Sequence, residues 1–299
     1  MTSEFYIISH KQNARLCWTV YAGTKLALAL LISSGSRRAR CQEASVNCRS
    51  RVSTIQLSPR EFSGNPMGFK RVWDSSCPRV WDKWEDNGTT WVIRDLPPED
   101  DEEAIQILVE NLCTDEALCA MSDLINDPVS VRSMTDFWRI YLSQRMSLGC
   151  YEEKNGQSKL VALNVCLVEC QGEESDDVIE GESWKNVYGA LKVAENRVDH
   201  FKYLGLDKVL YALGLVVKRE YRGSRLGARI LAARKPLSLH NGIKATSTLF
   251  TGPASQKSAA RAGFTTIATI TLKELAEAGL NYPKDENRCI KLMVKRFDD

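Results

Sequence analysis

Leu210–Ala232 reads LYALGLVVKREYRGSRLGARILA. Leu213, Leu215, Val216 and Val217 form a short apolar run rich in strand formers. Charges follow at Lys218, Arg219 and Glu220, then Tyr221-Arg222-Gly223. Beyond Gly223 the period changes. Leu226, Ile230 and Leu231 fall at helical spacing, with Ala228, Ala232 and Ala233 as helix formers among and after them. The stretch predicts strand, tight turn, helix. Its turn (Arg222, Gly223, Ser224, Arg225, Leu226, Gly227, Ala228) has few bulky side chains to shield the backbone. Such a helix start presents N–H groups without intrahelical partners and about half an elementary positive charge. It suits a phosphate or diphosphate. Arg222, Arg225 and Arg229 add charge and forked donors.

Neither common nucleotide motif fits. No Gly-x-Gly pair follows the strand, so the dinucleotide fingerprint is missing, and so is a phosphate loop ending in Gly-Lys-Ser/Thr. The residues alone leave the anion open.

At 299 residues the chain suffices for one large domain or two small ones, and 43% apolar with 26% charged residues is an ordinary globular composition. The net charge of +2 is uneven. Residues 1–66 carry nine Lys/Arg against three Asp/Glu, a net of +6, which leaves −4 on residues 67–299. A mildly acidic body argues against nucleic acid as a partner. The ten cysteines include no Cys-x-x-Cys, which favours reduced thiols and a cytoplasmic setting. Only His10, His200 and His240 are available, so neither a metal site nor a histidine triad is expected.

Residues 1–66 read as a weakly ordered basic extension rich in serine and arginine. Within it, Lys25–Ile32 has the outline of a signal peptide but is too short to span a bilayer. Residues 67–90 form a Trp-rich lead-in, with Arg71-Val-Trp-Asp74 echoed at Arg79-Val-Trp-Asp82. The body is read as 91–299. Trp91–Arg94 is a first strand; an acidic, proline-led helix carries Ile105, Leu108, Val109 and Leu112 on one stripe. A short helix from Asp115 and an amphipathic helix over Ser130–Gln144 follow. Leu148–Tyr151 and Leu160–Val168 make a hairpin about Asn155-Gly156. Trp184–Tyr203 is helical. After the central strand and helix come a strand (Ile243–Thr251), a helix (Ser255–Ala262) and two strands (Thr265–Leu272, Ile290–Val294). The order is that of an α+β domain with one mixed, mostly antiparallel sheet flanked by helices.

The turn resembles the acyl-CoA motif of the GNAT N-acetyltransferases, Arg/Gln-x-x-Gly-x-Gly/Ala after an apolar strand. Here Arg222-Gly223-Ser224-Arg225-Leu226-Gly227 keeps the first and last positions and puts Arg225 at the middle glycine. Thr248–Thr251 followed by Ser255–Phe264 is similar to the family's next strand and its helix ending in Gly-Phe. Cys113-Thr-Asp-Glu-Ala-Leu118 resembles the Asp-Glu-x-Leu motif of the insect arylalkylamine (dopamine-type) N-acetyltransferases. The resemblance covers Trp91–Arg296, roughly two-thirds of the chain.

That resemblance implies acetyl transfer from acetyl-CoA, a co-substrate, to a small-molecule amine within a ternary complex, with no membrane involved. It implies Glu116 as general base, and backbone N–H groups of Leu215, Val216 and Val217 on the pantetheine and carbonyl, with Gly214 permitting a bulge. It places Arg222 through Ala228 on the diphosphate and Ser255 on CoA or as a cap. Phe137, Trp138 and Tyr141 are candidates for the amine pocket. Where the family often has a tyrosine acid, this chain has Ala254; Val216 and Glu220 replace two assisting serines. A CoA-binding protein with little activity, and an enzyme for a polyamine or other acceptor, therefore stay open.

Overall fold

The computed structural model describes residues 69–173 and 175–297, with the backbone of three short strands near the N-terminus. Those strands are β1 (Phe5–Ile7), β2 (Leu16–Val20) and β3 (Leu26–Leu30), paired antiparallel in that order within a unit spanning Met1–Arg60. The rest of the extension read over residues 1–66 lies outside the described residues.

The second unit, Glu61–Asp299, holds the remaining elements. In chain order they are β4 (Val80–Asp86), β5 (Thr89–Asp95), α1 (Asp101–Asn111), α2 (Ala117–Met121), α3 (Pro128–Leu142), β6 (Leu148–Lys154) and β7 (Gln157–Cys170). Then come α4 (Glu182–Glu195), α5 (His200–Leu204), β8 (Lys208–Val217), α6 (Leu226–His240), β9 (Ala245–Phe250), α7 (Pro253–Arg261), β10 (Thr265–Thr271), α8 (Leu272–Glu277) and β11 (Cys289–Arg296). The eight strands form one sheet in the order β10-β11-β9-β8-β7-β6-β5-β4, antiparallel except between β8 and β9.

Helices cover both faces. Ile105, Leu108, Trp138, Trp184 and Val187 pack with Leu163 and Val165 on one. Ile230, Ala233 and Leu237 of α6 pack with Ala162, Cys166 and Leu210 on the other. Local signals set the boundaries. Asp127 caps α3 by accepting from the N–H groups of Val129 and Ser130, with Pro128 in the first turn. Asn155 and Gly156 both have positive φ, as a two-residue hairpin turn requires. Among the described residues no helix is long and apolar enough to cross a membrane.

Three elements differ from the sequence reading. The lead-in over 67–90 supplies the edge strand β4, and buried Arg71 ties it to the sheet through two hydrogen bonds to Asp95, at 2.6 and 2.9 Å. The helix read over 184–203 is two helices, the second capped by Asp199 and closed by Gly205 at φ 63°. Thr271 and Glu274 form a capping box that starts α8 where the strand was expected to continue to Leu272.

One irregularity matters most. Asn164 of β7 faces Leu215, but Cys166 faces Ala212, so β8 holds one extra residue in between. Gly214 lies there with φ 135°, a value that favours glycine. The extra residue reverses the alternation: Tyr211 and Leu213 belong to the α3–α4 face, whereas Leu215 and Val217 belong to the α6 face.

Candidate active site

Strands β8 and β9 pair over only two positions, Leu210 with Thr246 and Tyr211 with Ser247. Beyond them the strands separate. Trp138 Nε1 donates to Leu213 O at 2.9 Å and Asn164 Nδ2 donates to Gly214 O at 2.7 Å, so the bulge is held by two side chains. Lys218 N–H donates to Val161 O of β7. In an antiparallel ladder this register turns the N–H of Val216 toward β7 also, and those of Leu215 and Val217 toward the gap.

A cavity of about 170 Å³ occupies the opening. Its walls include Phe137, Trp138 and Trp184 on one side and Gly214, Leu215 and Thr248–Thr251 on the other. Glu116 also lines it. This residue caps α2: Oε1 accepts from Leu118 N–H at 3.0 Å, and Oε2 from Cys119 N–H at 2.8 Å. The Thr251 hydroxyl donates to Oε1 as well. A carboxylate has about four acceptor sites, so one remains on Oε2 for an incoming proton. Capping and proton acceptance are therefore compatible in the same side chain. Cys119 lines the cavity too, but burial pushes its thiol well above the usual range, which removes it as a nucleophile near neutral pH.

At the far end of β8 the chain makes one 3₁₀ turn (Arg219–Tyr221) and enters α6. Gly223 has φ 90°, and Arg225, the residue just before α6, is left-handed at φ 62°. The N–H groups of Gly223, Ser224 and Arg225 make no backbone hydrogen bond, all three residues are exposed, and Leu226 and Gly227 sit in the first turn of the helix. Ala228 N–H is taken by Arg225 O. The arginines divide. Arg222 Nη1 contacts Asp115 Oδ2 at 2.7 Å while its Nε donates to Val217 O at 3.0 Å. Arg219 joins the same carboxylate at 2.8 and 2.9 Å. Hydrogen bonds from Arg219, and from Arg222 and Thr114, hold the Asp115 carboxyl far below the usual carboxylate range. Arg229 lies 3.9 Å over the Trp84 ring and bonds Asp82 at 2.8 Å.

Solved structures share this fold. A putative arylalkylamine N-acetyltransferase 7 from the yellow fever mosquito Aedes aegypti is 30% identical, with a TM-score of 0.71 over 77% of this chain and 100% of that one. This chain belongs to the GNAT N-acetyltransferases. Arylalkylamine N-acetyltransferase 2 from Aedes aegypti (19% identity, 71% of this chain, 100% of that one, TM-score 0.61) shares the N-acetyltransferase fold. So does a Drosophila melanogaster polyamine N-acetyltransferase (16%, 69% and 99%, TM-score 0.56). No family model matches the chain, and no curated protein does.

Within this N-acetyltransferase the site residues read from the sequence are gathered unevenly. Glu116, Leu215 and Ser255 line one cavity. Of the three strand residues, Val216 turns its N–H to the ladder with β7, and Leu215 and Val217 turn theirs to the gap. Neighbouring carboxylates hold Arg222 and Arg229. Ser255 does not cap α7; its hydroxyl donates to Gly252 O at 2.8 Å. Tyr141 lies off the first cavity, with its hydroxyl on Asp177 at 2.8 Å. Sequence reading missed Thr251, Asn164 and Arg234. The last had a signal: it falls on the buried stripe of α6 with Ile230 and Leu237, where an arginine is out of place.

Proposed function

We propose that the chain transfers the acetyl group of acetyl-CoA to a primary amine, an arylalkylamine, by direct attack in a ternary complex. The carrying observation is that one cavity holds the Glu116 carboxylate and also opens onto the bulged edge of β8. The exposed N–H groups from Gly223 to Arg225 and the first turn of α6 suit the diphosphate. From there the pantetheine arm would run in the gap beside β8, with the N–H groups of Leu215 and Val217 as partners. Phe137, Trp138 and Trp184 give the acceptor end an aromatic wall suited to an aryl group.

The chemistry follows from those groups. An amine is mostly protonated near neutral pH, so a base must remove a proton before attack. Glu116 accepts it, directly or through one water. The nitrogen lone pair then adds to the thioester carbonyl carbon, and donors along β8 stabilise charge on oxygen. Collapse breaks the C–S bond and leaves the electron pair on sulfur.

A second cavity favours a second reading. It measures about 620 Å³, shares Phe137, Leu191, Tyr211 and Leu213 with the first, and is lined by Asp177, Glu169 and Glu195. A polyamine could place a distal ammonium there.

The test is thiol release from acetyl-CoA across a panel of arylalkylamines, alkylamines and polyamines, with Glu116→Gln as control. Glutamine retains an oxygen for the cap of α2, so the fold is spared. The expected loss in kcat is about 10²–10⁴-fold with CoA binding intact. No release above the Glu116→Gln background with any amine would overturn the proposal.

A further inference from the structure

Helix α6 buries an arginine that has no counter-ion. Arg234 is 0% exposed. Its Nε donates to Asn164 Oδ1 at 2.8 Å, and its Nη1 donates to Thr248 Oγ1 at 2.8 Å and Thr246 Oγ1 at 3.4 Å. Its Nη2 has no hydrogen-bond partner. No carboxylate among the described residues pairs with it. From β7 the ionisable group facing it is Cys166, whose thiol burial pushes up to about 11. Across the cavity stand Glu116, Cys119 and Tyr211. A guanidinium does not shed its proton in a protein. Removing such a charge from water without an anion costs several kcal/mol. The arrangement is that of a cation waiting for a transient negative charge.

The location says which one. The guanidinium passes under β8, joining Asn164 on β7 to Thr246 and Thr248 on β9, at the apex where the two strands part. Asn164 in turn holds Gly214 O of the bulge. Arg234 lines the same cavity as Glu116. It lies nine residues along α6 from Arg225 at the anion-binding turn, about 13 Å at 1.5 Å per residue. An extended pantetheine arm, at chain dimensions, spans on the order of 13–16 Å. A diphosphate at one end of α6 thus puts the sulfur near Arg234.

We propose that Arg234 stabilises the CoA thiolate as it leaves, the role for which this chain has alanine at residue 254. The inference rests on the acetyl-CoA reading above. As the C–N bond forms and the C–S bond breaks, the sulfur takes the bonding electron pair and faces the unpartnered Nη2 donors. The nitrogen sheds two protons in all. The first, from the ammonium, passes through Glu116 to solvent before attack. The second, released from the acylated nitrogen as the C–S bond breaks, rests on Glu116; the thiolate is protonated from solvent once CoA departs. No additional reactant is needed.

The experiment titrates the thiol of enzyme-bound CoA by the ultraviolet absorbance of the thiolate. Desulfo-CoA complexes serve as the blank for the protein's own cysteines. An ordinary thiol ionises near about 8.5. In the wild-type complex ionisation is expected about one to three pH units lower. Arg234→Met should return it to the free value, and Arg234→Lys, which keeps the charge, should retain part of the shift. Should Arg234→Met not fold, the wild-type and Arg234→Lys titrations still decide. Bound CoA that titrates like free CoA, or a shift that survives Arg234→Met, overturns this inference alone. Absence of CoA binding to the wild type overturns it together with the acetyl-CoA reading.

Discussion

Asp115 Oδ2 sits 2.7 Å from Arg222 Nη1, while the adjacent Glu116 turns to Thr251 across the cavity. Two consecutive acids thus reach two different elements, the turn before α6 and the end of β9. Asp115 braces the turn before α6 from the α1–α2 connection, and Glu116 faces the cavity proposed for the reacting groups. The bracing predicts that Asp115→Asn loosens the turn without touching the base. The KM for acetyl-CoA should rise about three- to tenfold, as befits a partly exposed charge network. The kcat at saturating acetyl-CoA should stay within about twofold. Steady-state kinetics with varied acetyl-CoA checks both numbers.

Arg229 gives the contrasting case. Its guanidinium is held over Trp84 and on Asp82, away from the turn. Arg229→Ala should therefore leave CoA affinity unchanged by calorimetry. It should lower stability by about 0.5–1 kcal/mol, the range for an exposed cation–π contact, seen as a shifted urea midpoint.

Gly214 disfavours any other residue. A Cβ at this residue would lie 3.2 Å from Leu112 Cδ1, and φ 135° strains any other side chain. Gly214→Ala should destabilise by about 1–3 kcal/mol. Its larger effect should be on kcat, because flattening the bulge would return Leu215 and Val217 to the wrong face. Thermal unfolding and kcat measured on the same preparation separate these effects.

Glu169 links pH to stability. It faces His200 Nε2 at 3.4 Å, and its cavity also presents Glu195, Asp177 and Lys192. Burial, and secondarily the charge of Glu195, raise its carboxyl from 4.5 to about 8. The folded chain then keeps a proton that the unfolded chain has released, so this group costs stability as pH rises from 4.5 toward 8. Glu169→Gln should be more stable than wild type near the upper value and equal to it near the lower. Denaturant midpoints at the two ends test the sign. A gap that closes on raising the pH would contradict it.

Much of the body was legible because period and punctuation agreed. The change from strand to helix after Gly223, the Asn155-Gly156 turn and the prolines before α1 each act locally. β4 was not legible, because Val80–Asp86 spaces Trp81 and Trp84 three apart among charges instead of alternating, on an edge where no side chain is fully buried. The fate of the arginines was hidden for another reason. Whether Arg222 meets a phosphate or Asp115 depends on a partner more than a hundred residues away in sequence, which no local window contains. Arg234 was visible as a misfit on a buried stripe, but its lack of a counter-ion is a property of the packed molecule. Thr251 likewise acquires meaning only when α2 is folded against the end of β9.

The parting of β8 and β9 after two residue pairs creates a sheet margin in the middle of a sheet. Margins at the periphery are normally guarded by charge, by proline or by brevity, since any extended chain can add to them. This interior one is guarded by depth instead. The walls around it are aromatic and aliphatic, so on the acetyl-CoA proposal a narrow, amide-bearing arm takes the place that a neighbouring strand would otherwise fill.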